Sequence, residues 1–572
     1  MKVRMSAAIA LAAAMLVAHS SSTGAQKAQE PATAAGGGHK HYDTPADFQN
    51  KPGPNGELAP RLQKLGTHVF PVTTKVPRAQ LFINQGMNLS WAFNHAESGR
   101  AFREAARLDP KLAMAYWGQA LVLGPNINAA MDPNDEGPAH AAIQKAIALK
   151  PGASLKERAL IDALALRYTG KADERATRDA AYAAAMKKVQ AQYPADLDIA
   201  ALYVESLMDL RPWGYWMDDG RPYEGVAEAV ALIEKTIARN PRHPGALHLY
   251  IHLVEAHHPQ KAEGAADRLL TLMPAAGHMV HMPAHIYQRV GRYADAIKSN
   301  ELAIAADEDY ITQCRAQGLY PLGYYPHNLH FLWFAATFDG QSRLAIDNAR
   351  KTASKIDPEV LKQMPLMAAF KVVPYYALTR FGKWDEMLKE PAPPAGNGYL
   401  TGIYHYARGI ALVGKGQLAE ADKELATVKA LIGDKSLDGP LFSPNTAAAV
   451  FAIAPEVLAA EIAAARKQYD VAIGHLERAV RLEDGLVYTE PAEWHYPPRH
   501  ALGAVLLAAG RAKEAETVYW EDLRIHPDNG WALFGVSQAL RAQKKNAQAD
   551  IVDARLQKAW ARADFKLTGS KF

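Results

Sequence analysis

The segment HPGALHLYIHLVEAHHP, residues 243–259, holds five histidines in seventeen positions, and GHMVHMPAHIYQ, residues 277–288, adds three more. Imidazole is a nitrogen ligand for transition metals and a proton carrier near neutral pH, so spacing decides which chemistry is open. His248, His252 and Glu255 stand at i, i+4 and i+7, which puts them on one face of a helix. His281 and His285 repeat the four-residue step. The intervals His248–His281, His252–His285 and Pro241–Pro274 are all 33 residues. Equivalent positions of neighbouring repeats face one surface, with helix axes about 8–10 Å apart. The four imidazoles therefore predict one bound metal, or two close together. Glu255 either completes the ligand set or orients a ligand. His327 and His330, at i, i+3 in YYPHNLHFLW (324–333), are candidate ligands from the next unit. Pro283 predicts a helix start, with His281 at or just before it.

Imidazole with carboxylate suits copper, non-haem iron or zinc. Met279 and Met282 favour copper if their thioethers bind, and otherwise fill core. The competing reading of the cluster is a polar and aromatic binding face without metal. His257 and His258, beside Pro259, read as surface residues at a helix C-terminus, and His39 and His41 as leader residues. Further substrate-binding candidates lie in irregular stretches. His95 is flanked by Asn94 and Glu97. Asn126 and Asn128 follow Gly124-Pro125, as substrate contacts or as turn caps. Arg211, with Asp209, precedes Pro-Trp-Gly-Tyr-Trp, as a substrate contact or as half of an ion pair holding the loop. Trp494, Tyr496 and Arg499 form an aromatic and cationic group suited to an organic anion, or the aromatics are first-helix core. The chain has no phosphate loop, dinucleotide fingerprint, GxSxG elbow or HExxH, and its HxxxH lacks the glutamate of a metallopeptidase. The balance leans to a metal-dependent oxidoreductase or hydrolase acting on a small organic molecule. The alternative is a scaffold for a peptide or partner protein.

The chain that must position these residues has 572 residues, 49% hydrophobic and 22% charged, with net charge +4. Such a balance suggests neither nucleic acid nor an anionic membrane surface as partner. With one cysteine, Cys314, an internal disulfide is impossible and a thiolate metal cage is excluded. Lys2, Arg4, the apolar run 5–18 and Thr23-Gly24-Ala25 read as a signal peptide, residues 1–25, either cleaved or kept as an anchor. The mature protein is then periplasmic or secreted, and no later stretch is apolar enough to cross a membrane. Residues 26–60 read as a flexible leader and 61–384 as an N-terminal lobe carrying the histidines. PAPPAGNG within 385–400 reads as a linker, and 401–572 as a C-terminal lobe.

Repeats organise both lobes. Gly86, Ser98, Phe102, Ala105 and Pro110 fall at the offsets of a 34-residue tetratricopeptide unit. Gly503, Ala515, Tyr519 and Pro527 do so again, and Trp531, Phe534 and Gly535 open the next unit. Second-helix patterns recur at 291–308, 416–430 and 467–484. Small residues let paired helices approach, large ones fill the gap, and proline ends the pair. The expected fold is all-α, a right-handed superhelix of tetratricopeptide-like helix pairs. Insertions at 124–138, 211–224 and 310–326 interrupt the period and are candidates for the binding face.

The chain resembles tetratricopeptide repeat proteins. It also resembles a group of exported bacterial repeat proteins through NHAESGRAFREAARLDPKLAMAYWGQALVLGPNIN (94–128), LMDLRPWGYW (207–216), HLYIHLVEA (248–256), GHMVHMPAHIYQRVGRY (277–293), YYPHNLHFLW (324–333) and EPAEWHYPPRHALGAVLLAAGR (490–511). The resemblance implies the fold and names no activity.

Overall fold

The computed structural model describes residues 52–53, 56–314, 320–441 and 445–572. The expected signal peptide, and His39 and His41, lie outside the described residues. Within the stretch assigned to the leader, Leu58 is pinned. Its amide donates to Glu104 and its carbonyl accepts from Arg100.

Among the described residues the regular elements are helices, with only isolated β-bridges beside them. Each helix packs chiefly on its neighbours in sequence, as in a stack of helical hairpins. Local signals set the boundaries. Asn94, Ser154, Asp196 and Asn529 cap helices by accepting from backbone amides of the first turn, and Ser154 with Glu157 forms a reciprocal capping box.

The repeat has a concrete packing basis. A Cβ on Gly503 would stand 2.3 Å from the Tyr519 ring, and one on Gly535 2.2 Å from it. Near the other end of the chain, Gly86 and Gly118 close in the same way on Phe102, at 2.7 and 2.4 Å. In these two units the aromatic ring on the second helix is thus clasped by glycines on the first helices before and after it. Only glycine leaves the room, because packed interiors lack slack for a methyl group.

The described residues divide into two compact units. One runs to Gln63 and from Thr67 to Pro212; the other takes Lys64–Gly66 and Trp213–Phe572. The division falls in the 211–224 insertion. Residues 385–400 lie inside the second unit, and chain on either side of them packs together. Trp531 Nε1 donates to the Thr337 carbonyl (3.3 Å), and Asp564 accepts from the Ser342 amide (2.6 Å).

One expectation meets an exception. The stretch Ala447–Ala465 is long and apolar enough to cross a membrane, but it is mostly buried within the fold. Its apolarity is that of a core helix.

Candidate metal centre

The helix Pro244–Val254 is buried on every side, so its histidines enter the interior whichever face they occupy. Pro244 is its first residue, and His243 caps it by accepting from the Ala246 amide. The second histidine run is helical from Gly277, earlier than Pro283 predicts. Gly277–His281 and Pro283–Arg289 join through Met282, which keeps helical dihedrals. His281 therefore ends one short segment and His285 lies in the first turn of the next. A Cβ on Gly277 would meet Asp307 Oδ1 at 1.8 Å, so a neighbouring carboxylate, rather than the proline, fixes where this helix begins. Asp307 is itself held by Tyr320 and Asn328, and the Tyr320 hydroxyl accepts from the His278 amide.

Six imidazoles meet in two trios. His248, His252 and His278 form one, with ligand atoms within 4.8 Å of one another; His281, His285 and His327 form the other on the same criterion. Each trio combines an HxxxH pair, from one helix in the first and from two joined segments in the second, with a histidine near the start of a later helix. The 33-residue offset does set His252 beside His285, with ring centroids 5.7 Å apart. That contact lies between the trios rather than within one.

Glu255 joins the two sets. Oε1 accepts from His252 Nδ1 at 3.0 Å and Oε2 from His285 Nδ1 at 2.6 Å. The carboxylate thus acts on the outer ring nitrogens and leaves the inner ones to face each other. Burial pushes the Glu255 carboxyl up, but His285 and His252 outweigh it and hold it below the usual range. Burial, reinforced by neighbouring imidazoles, holds His278, His281 and His327 well below their ordinary value. Burial lowers His252 as well, against the pull of Glu255. These four rings therefore stay neutral near pH 7, the form that binds metal.

The second trio also reveals its tautomers. Asn300 Nδ2 donates to the Ala296 carbonyl at 2.8 Å, which turns Oδ1 toward His281 Nδ1 at 2.7 Å. An amide oxygen only accepts, so His281 carries its proton on Nδ1. His285 carries its own on Nδ1 for Glu255. His281 Nε2 is then a bare lone pair, and His285 Nε2 stands 2.8 Å from it. His327 Nε2 lies 3.1 Å from His281 Nε2. Nitrogens bound at ~2.0–2.1 Å to one ion, about a right angle apart, would be separated by ~2.9 Å.

His330 lies outside both trios. It stacks on Trp333 at 5.1 Å and meets the Phe370 edge. Met279 and Met282 are buried core. His257 and His258 pack against Trp216, away from the trios. Of the residues expected to bind substrate, four belong to the first unit. Asn126 accepts from the amides of Asn128 and Ala129, a turn cap, and its Nδ2 lies 3.4 Å from His95 Nε2. Asn128 and Arg211 are exposed. Asp209 binds Arg167 at 2.7 Å, and Arg167 also binds Asp179.

Trp494 and Tyr496 are buried, and Arg380 lies over the Tyr496 ring. Arg499 is taken up by Asp484 at 2.7 Å and Glu483 at 3.5 Å. Arg499 thus meets acidic side chains of its own chain, and the two aromatic rings lie in the core. Sequence reading gave His278 no role and missed Asn300. Both lie three residues or more from the HxxxH steps, and their contacts depend on how later helices dock.

No family model and no curated protein matches the chain. Among solved structures, it aligns with the human IFIT1 dimer with m7Gppp-AAAA at 12% identity and a TM-score of 0.31, over 85% of this chain and 90% of that one. It aligns with yeast Tom70 at 12% and 0.25, over 85% and 91%, and with the APC/C hetero-tetramer Cut9–Hcn1 at 11% and 0.28, over 85% and 95%. Such scores say nothing of ligand or site. The helical-hairpin architecture rests on the chain's own repeats.

Proposed function

We propose that the chain binds a pair of transition-metal ions, one in each histidine trio, and uses them as a metal-dependent oxidoreductase or hydrolase on a small organic substrate. The observation that carries this reading is the convergence of ring nitrogens in a buried trio, His281 Nε2 lying 2.8 Å from His285 Nε2 and 3.1 Å from His327 Nε2. Each trio supplies three imidazoles, which leaves a coordination position for water or dioxygen. Glu255 is engaged by outer nitrogens, so the sets are all-nitrogen; that favours copper or zinc over iron, whose oxygenase sites include a carboxylate. Export to the periplasm or beyond, expected from residues 1–25, belongs to the same proposal and is tested by cell fractionation.

Elemental analysis of full-length protein purified without chelator tests the centre. About two transition-metal ions per chain are expected, falling to about one in His281→Ala. Wild-type protein with no metal above background overturns the reading. That result favours the second reading, a hairpin scaffold for a peptide or partner protein, which the repeat architecture itself supports.

A further inference from the structure

Beside the second trio the unit contains a cavity of about 270 Å³. Gln288, one turn after His285 on the same helix, lines it and donates to Glu490 on the facing wall. Buried polar atoms without a protein partner crowd this one space. They are Glu490 Oε1, Gln288 Oε1, Asp522 Oδ1 and the hydroxyls of Tyr293 and Tyr488. Glu490 is only 8% exposed, and Gln288 7%. The first three of these atoms are acceptors in a carboxylate or amide. Unmet acceptors in an interior cost free energy until a donor reaches them.

The cations in the wall do not meet that need. Arg289 directs its guanidinium to the carbonyls of Glu255, Ala256 and Ile525. Arg499 is held by Asp484 and Glu483. Phe334 and Trp494 complete the lining with apolar and π surface.

We infer that this cavity binds a small aromatic or alkyl ammonium compound, its cationic head on Glu490 and Asp522 and its apolar part against Phe334 and Trp494. Acceptors without donors select a donor-rich head, the Asp522 carboxylate selects a positive one, and the aromatic faces favour a cation over a neutral isostere. The volume admits a ligand of modest size. The inference concerns binding and stands whether or not the trios load metal.

The test uses the full-length protein as purified, with phenethylammonium and its carboxylate counterpart, 3-phenylpropanoate, as probes in isothermal calorimetry. Saturable binding of the ammonium probe and at least tenfold weaker binding of the carboxylate are expected. Glu490→Gln weakens the ammonium probe about tenfold or more, with far-UV circular dichroism and metal content unchanged. Equal or tighter binding of the carboxylate overturns the inference. So does the absence of binding by both probes, which marks a cavity filled by water only. If Glu490→Gln does not fold, Asp522→Asn and Trp494→Leu replace it, and unweakened binding in both overturns the inference. Ammonium binding that persists in chelator-stripped His281→Ala protein supports this site independently of the centre, whose own failure is read from metal content.

Discussion

Glu255 reaches both trios with one carboxylate, and its loss should be felt by both. In Glu255→Gln one oxygen is replaced by an NH2 group, which cannot accept from an Nδ1–H. Either His252 or His285 must then change tautomer and present Nε2–H to the interior. Such orienting groups are worth about 10–100-fold in metal affinity. Chelator competition should therefore show at least a tenfold weaker site, whereas unchanged affinity would contradict the role given to Glu255. In Glu255→Ala both Nδ1–H groups lose their acceptor at depth, at a cost of about 1–3 kcal/mol each. Urea unfolding of metal-free protein should register that loss. At this scale the sequence was partly legible. The HxxxH steps and Glu255 follow from helical periodicity, because i, i+4 and i+7 share a face on any helix. His278 and His327 became partners through the docking of later helices, which spacing along the chain does not encode.

Among the elements, the helix pair is held by its glycine-clasped ring. Gly535→Ala places a methyl group 2.2 Å from the Tyr519 ring, and that ring, buried and clasped from the other side by Gly503, has nowhere to move. Overpacking of this kind costs about 1–3 kcal/mol. Thermal unfolding should show a clearly lowered midpoint in Gly535→Ala, while alanine at Gly510, with open space around its Cβ direction but a positive φ of 78°, should cost only its backbone strain. A midpoint unmoved in Gly535→Ala would refute the clasp. Helix ends were less legible than helix faces. Pro283 suggests a start that the chain does not take, since the preceding residues Gly277–His281 are already helical under the control of Asp307. Residues 385–400 lie inside the second unit, and Trp531 and Asp564 beyond them bond to Thr337 and Ser342 before them.

Across the whole molecule, each buried neutral imidazole makes a contribution to stability whose pH dependence has a known sign. Burial brings His330 to about 3 and His95 and His526 to about 4. All three lie below the ordinary 6.5, so the folded chain keeps these rings neutral where the unfolded chain protonates them. As pH falls from about 6.5 toward about 4, the unfolded state binds the extra protons, and stability falls with it. Each such histidine contributes a loss of up to ~1.4 kcal/mol per pH unit in that window. In chelated protein, His330→Gln should lose less urea midpoint than the wild type between about pH 6.5 and about pH 4.5, and an identical pH profile in the two would contradict the assignment.

What the sequence by itself determined is periodic: an all-α chain of hairpins, the small and large residues that clasp, and histidine pairs that share a helix face. Those features depend on neighbours a few residues away, or on a repeat of fixed length. The tertiary structure decided which pairs acquire a third imidazole, that Glu255 serves both trios through their outer nitrogens, and that Arg499 is spent on its own chain. These depend on the rotation and docking of helices separated by tens or hundreds of residues, where a small change in orientation carries an imidazole from one trio to another.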